Sequence, residues 1–88
     1  MKVEVRKSFE KDISKIADSK LAHQLYLLIE LLEHCKSLTE IQHLKKMQGS
    51  GGYYRIRMGN YRLGLKVEKD TILLLRFMHR KDIYNYFP

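Results

Sequence analysis

Met1 to Arg6, MKVEVR, alternates apolar and polar side chains, the period of a half-buried strand. From Ser8 the period lengthens. Phe9, Ile13, Ile16 and Ala17 recur at i, i+4, i+7 and i+8, which predicts a helix with Ser8 as its N-cap. Asp18 and Ser19 interrupt it and can cap a second helix, from about Lys20 to Cys35. In that helix Leu21, Leu25, Leu28 and Leu32 form one apolar stripe, widened by Ile29, with His23, Tyr26, Glu30 and Glu33 on the other side. So short a break between two helices predicts an antiparallel hairpin.

After Leu44 the period shortens to two. YYRIRM and YRLGLKV both alternate, and Gly59-Asn60 between them suits a primed two-residue hairpin turn. The register follows by counting: Met58 faces Tyr61, Arg57 faces Arg62, Ile56 faces Leu63 and Arg55 faces Gly64. A second break at Glu68 to Asp70 leads into TILLLRFM, apolar at nearly every residue and therefore a central strand covered on both sides. Arg76 stays open at this level. A two-residue second turn points it toward the helices, a three-residue turn toward the opposite face, and the lack of glycine in Lys69-Asp70-Thr71 favours the latter. HRKDIYNYFP can add a turn of helix. The expected fold is α+β: residues 1–88 as a single domain, with an N-terminal strand and a two-helix hairpin packed on one face of an antiparallel sheet. That sheet contains a three-stranded meander, and a short helical tail follows it.

Length and composition narrow the function. Eighty-eight residues leave no room for a Rossmann unit or a barrel, and 44% hydrophobic with 31% charged residues is the balance of a folded globule. LYLLI and ILLL are far shorter than the roughly 20 residues that cross a bilayer. No secretory signal is visible and the lone Cys35 has no internal partner, so a cytoplasmic protein without membrane contact is expected. The net charge of +7 is unevenly placed. Residues 1–43 hold seven basic and seven acidic side chains, residues 44–88 ten basic and three acidic. All of the excess falls on the part that reads as a sheet, which suggests a cationic surface built for an anion.

The predicted register sorts that surface. Tyr54, Ile56, Met58, Tyr61, Leu63, Leu65 and Val67 form an apolar face for the helices. Tyr53, Arg55, Arg57, Arg62, Gly64 and Lys66 form the other. Like charges directly opposite one another destabilise a sheet, so Arg57 against Arg62 carries a cost that a bound anion would relieve. Gly64 beside Arg55 leaves a shallow opening. Guanidinium forks grip phosphate oxygens in bidentate fashion, and Tyr53, Tyr84 and Tyr86 offer flat surfaces for bases. An outward sheet face made soluble with arginines is the plain alternative, though opposed arginines are an odd solution to solubility.

LKKMQGSGGYYRIRMGNYRLGL, then an apolar strand and HRKDIY, resembles the toxins of the RelE/ParE superfamily of toxin–antitoxin modules over nearly the whole chain. The aromatic ending of HRKDIY resembles the RelE branch. The resemblance implies a ribosome-dependent mRNA endoribonuclease that needs no cofactor. The substrate's own 2′-hydroxyl attacks the adjacent phosphate, leaving a cyclic phosphate and a free 5′-hydroxyl. It also implies mRNA, the ribosomal decoding site and a small cognate antitoxin as partners. Its basic positions fall on Arg55, Arg57, Arg62 and Arg80, and its tail tyrosine on Tyr84. RelE-type enzymes often carry lysines where Arg55 and Arg57 stand, and arginine hardly ever gives up a proton. Arg57, Arg62 and Arg80 are therefore expected to hold the scissile phosphate while Arg55 seats the backbone. Proton transfer would then have to come from Tyr84, from His79, an imidazole suited to either role, or from the ribosome.

Lys45, Lys46, Tyr53 and Lys66 are expected to touch RNA beside Arg55. His23, His34 and His43 lack metal-ligand spacing and are read as surface or packing residues, and no metal site is expected. Cys35 is read as a small core residue. Gly49-Ser50-Gly51-Gly52 lacks the Lys-Ser/Thr of a phosphate loop and is read as a flexible connector. Two alternatives stand beside the nuclease: a ParE-like inhibitor of DNA gyrase, and a homologue that has lost catalysis and only binds its antitoxin.

Overall fold

The computed structural model describes residues 1–49 and 51–88; Ser50, in the expected 49–52 connector, lies outside the described residues. The elements are β1 (Lys2–Val5), α1 (Lys7–Ser14), α2 (Ser19–His34), a 3₁₀ turn at Leu38–Glu40, β2 (Leu44–Lys46), β3 (Tyr53–Met58), β4 (Tyr61–Glu68), β5 (Thr71–His79) and α3 (Arg80–Tyr86). The meander β3-β4-β5 is as expected, but the sheet is mixed and has five strands in the order β1-β5-β4-β3-β2. β1 pairs with β5 in parallel, Lys2 opposite Thr71 through Val5 opposite Leu74. β2 pairs antiparallel with β3 and forms the far border.

One core unites the helices and one sheet face. Phe9, Leu25, Leu32, Cys35 and Ile41 pack with Ile56, Leu63, Leu65, Ile72, Leu74 and Phe77, and Leu21, Leu28 and Ile29 flank them. The α2 stripe is thus the one its leucine spacing predicts, and Asp18 caps it by accepting from the backbone N–H of Lys20 and Leu21. Cys35 is buried and its thiol donates to the Leu32 carbonyl at 3.2 Å. A second, smaller apolar group lies apart. Leu73, Ile83 and Phe87 are buried without joining that cluster, and α3 packs on β4 and β5. β5 is therefore covered on both faces, with α3 on the side away from α1 and α2.

Ser8 does not cap α1. Arg6 holds the N-cap position without a side-chain bond, and α1 ends at Ser14, leaving Ile16 and Ala17 beyond it. The reason lies at the border of the sheet. β1 stops at Val5, so the outer side of β5 beyond Leu74 has no strand to pair with. Helix α1 fills that role with side chains. Ser8 Oγ donates to the Leu75 carbonyl at 2.6 Å, and one turn later Asp12 Oδ2 accepts the Phe77 N–H at 2.9 Å. Positions four apart lie on one helix face, which lets two short polar side chains stand in for a strand.

The β3–β4 register matches the count from the turn, including Arg57 opposite Arg62 and Arg55 opposite Gly64. Gly59 supplies the positive φ of 57° that the turn needs. The second turn is the two-residue one, Glu68 facing Thr71, with Lys69 in the left-handed region at φ 56° in place of a glycine. Even so, Arg76 joins the Gly64 side. The pairing jumps from Leu65↔Leu74 to Gly64↔Arg76, so Leu75 is an extra residue that flips every later side chain of β5.

Gly64 does not leave an opening. A Cβ there would lie 2.7 Å from the Phe87 ring, so the absent side chain is the seat of the tail. Gly64→Ala is expected to push Phe87 off the sheet and loosen α3, at a cost of about 1–3 kcal/mol. Hydrogen exchange along 80–86 should quicken while α2 stays protected; unchanged exchange would refute the seat.

Candidate functional site

The arginine face is a real convergence. Arg55, Arg57, Arg62 and Tyr84 line one open cleft of about 510 Å³ together with His43, Leu44 and Lys45. Strand alternation sends Arg55 and Arg57 to one side of β3, and the tight turn brings Arg62 directly across from Arg57. Lys45 is opposite Arg55 and shares that side; Lys46, opposite Tyr54, falls on the other. α3 then lays Tyr84 over the cleft, with the Arg55 guanidinium 4.9 Å from its ring centre. Tyr84 itself is 73% exposed, so the ring has a free surface.

Arg62 is the anchored member of the group. Its Nη1 donates to the carbonyls of Gly59 and Tyr61, both at 2.9 Å. Burial first, and then the positive charges of Arg55, Arg57 and Arg80, push its guanidinium below the ordinary value, with Tyr84 opposing. Three cations are therefore close enough to repel Arg62. Among the described residues no carboxylate neutralises them, since the ion pairs go to Lys2, Lys66 and Arg76. Repulsion left unrelieved in the free protein is what an anion would remove on binding.

The other expected residues are less uniform. Arg80, the first residue of α3, is exposed and reaches Arg62 by its charge without forming a wall of the cleft. His79 does not face the arginines. The extra residue at Leu75 puts it opposite Tyr61, on the helix side, where its ring stands edge-on to Tyr61 at 5.7 Å. Its Nδ1 accepts the Lys81 N–H at 3.2 Å and caps α3. Lys66 pairs with Glu68 at 3.3 Å, over a Tyr53 ring that is itself packed edge-on against Phe87. Tyr86 lies beneath Arg76 rather than in the cleft.

Arg76 is committed elsewhere. It reaches round the border of β5 and makes two hydrogen bonds to Asp12, at 2.8 and 3.0 Å. Those bonds raise its guanidinium above the ordinary value against its partial burial.

His43, read from the sequence as a surface or packing residue, belongs to the cleft. Its Nδ1 is 2.8 Å from Arg57 Nη2. The missing signal was β2: LKK is too short to show a period, so nothing marked the residue before it as the rim of a sheet.

Comparison with known proteins places the chain in a family. A family model described as the ParE toxin of the type II toxin–antitoxin system parDE matches residues 3–84. The chain is 43% identical over its full length to Toxin RelE3 of Methanocaldococcus jannaschii, all of which it covers. It matches a chain of the RelB-RelE antitoxin–toxin complex from Methanococcus jannaschii with a TM-score of 0.81. The identity there is 40%, over 96% of this chain and 98% of that one. For the archaeal RelE-RelB complex from Pyrococcus horikoshii OT3 the TM-score is 0.72 at 21% identity, covering 90% and 93%, a likeness of fold. By sequence and by fold together, the chain belongs to the RelE/ParE superfamily, the toxins of type II toxin–antitoxin modules, on its RelE-like branch.

Proposed function

We propose that this toxin is a ribosome-dependent mRNA endoribonuclease, held in check by a cognate antitoxin that covers the arginine face. One arrangement carries the reading: Arg55, Arg57 and Arg62 open onto a single cleft beside Tyr84, and among the described residues no carboxylate pairs with them. Such a site is suited to a phosphodiester. Arg57 and Arg62, opposite one another, grip the two non-bridging oxygens and stabilise the charge that grows as the 2′-oxygen attacks. Arg55 and the exposed ring of Tyr84 seat the neighbouring nucleotide by charge and stacking. Arg80 adds long-range field. His79, turned to the helix side, has no part in this reading.

The antitoxin partner is supported by the RelB–RelE complexes that this fold matches. A ParE-like action on gyrase is the second reading, favoured by the family model that spans residues 3–84. One experiment separates them. After brief induction, ribosome-bound transcripts are expected to carry new 5′-hydroxyl ends inside codons, and protein synthesis should stop. Intact transcripts with DNA damage and filamentation would replace the nuclease by the gyrase reading.

A further inference from the structure

We infer that His43 takes the proton from the attacking 2′-hydroxyl. The inference rests on the endoribonuclease reading and names the base which that reading leaves unassigned. Three observations carry it. His43 lines the cleft with Arg55, Arg57, Arg62 and Tyr84, so it borders the space a phosphodiester would fill. Its backbone is at φ 63°, in the left-handed region that residues other than glycine seldom occupy and that persists when the surroundings hold it there. Here they do, since the His43 carbonyl accepts the Arg57 N–H at 3.1 Å and ties the strained residue to β3. Third, Arg57 Nη2 lies 2.8 Å from Nδ1. A guanidinium can only donate, so Nδ1 is the acceptor and the neutral ring carries its proton on Nε2.

That contact makes the base dependent on substrate. A phosphate anion is a stronger partner for Arg57 than a neutral imidazole. As Arg57 turns to the phosphate, the Nδ1 lone pair is released inside the cleft. The 2′-hydroxyl proton passes to Nδ1 while the O2′–P bond forms and the P–O5′ bond breaks. The departing 5′-oxygen takes the proton of the Tyr84 hydroxyl. Solvent restores that proton, and the imidazolium returns its own to solvent. The products are a cyclic phosphate and a 5′-hydroxyl, with no net change in protons.

The groups facing His43 fit this role. Arg55 and Arg57 come from β3, Arg62 from β4, Lys45 from β2 and Tyr84 from α3. Glu40, the nearby carboxylate, is occupied by the backbone N–H groups of Lys36 and Ser37, at 2.8 and 3.1 Å. Neither a guanidinium nor the Lys45 ammonium has a lone pair to accept a proton, and Tyr84 gives its own to the departing oxygen, which leaves the imidazole.

His43→Asn tests the idea with little disturbance. Asparagine tolerates the left-handed backbone and its carbonyl can still accept from Arg57, but it cannot carry a proton. On programmed ribosomes it is expected to lower cleavage about 10²-fold while ribosome binding is kept. The acidic limb of the pH–rate profile, where an imidazole gains its proton, should vanish. His43→Gly also fits the backbone, and added imidazole should restore part of its cleavage. A wild-type rate for His43→Asn, an acidic limb that survives in it, or no rescue of His43→Gly would each overturn the assignment. Arg62→Ala separates the failures: if it abolishes cleavage and His43→Asn does not, the nuclease reading stands and His43 falls. If the wild-type toxin cuts nothing, both fall.

Discussion

Arg62→Ala is expected to lower mRNA cleavage on ribosomes about 10²–10³-fold, the loss seen when one preorganised donor to a developing oxyanion is removed. The expectation comes from how Arg62 is held. Its Nη1 is fixed by two carbonyls of the adjoining turn, which aims the rest of the guanidinium without help from substrate. β4 is flanked by β3 and β5, so the backbone beneath it is fixed as well. Arg62→Lys should recover part of the rate, because charge returns without the planar fork. Stability of Arg62→Ala should change little, since the loss of those two bonds is offset by relief of an arginine facing Arg57. A correctly folded Arg62→Ala toxin that cleaves at the wild-type rate would remove the phosphate seat from the mechanism.

Asp12→Ala should be the most damaging change to folding, at about 3–4 kcal/mol. Asp12 is 6% exposed and bonds at once to Arg76 Nε, Arg76 Nη2 and the Phe77 N–H. Removing it leaves a buried backbone donor without a partner, which alone costs about 1–3 kcal/mol. It also frees a guanidinium that is only partly able to find water. In a chain of this size the sum corresponds to a drop in Tm of roughly 12–30 °C. Asp12→Asn should lose much less, because its amide oxygen can still serve Phe77. Thermal unfolding of the two variants measures the difference, and a loss under about 1 kcal/mol for Asp12→Ala would contradict the account.

These two residues differ in how far the sequence disclosed them. Arg62 was legible because Gly59-Asn60 fixes a two-residue turn, and from there pairing is a matter of counting. The α2 stripe and the helix-facing residues of β3 and β4 were legible for the same reason: an uninterrupted period beside a defined break. Asp12 was not legible. Its importance depends on β1 lying beside β5, a parallel contact between segments nearly seventy residues apart, and no local pattern encodes it. The facing of Arg76 was left open, and that of His79 was not countable, through one hidden residue. The turn before β5 is two residues long and Lys69 adopts the conformation of a glycine, while the bulge at Leu75 undoes the count a second time. His43 was hidden differently, at the start of a strand too short to have a period.

The treatment of the two outer strands has a consequence for solubility at high expression. Unpaired N–H and C=O groups along a strand are templates on which further copies can add, and fibrils grow in that way. On one side, Ser8 and Asp12 occupy those groups beyond the end of β1. On the other, the exposed strand is just Leu44–Lys46, and two of its three side chains are lysines, which repel a like strand from a second molecule. Addition of further strands is thus discouraged where β5 runs past β1, and along the short, charged β2.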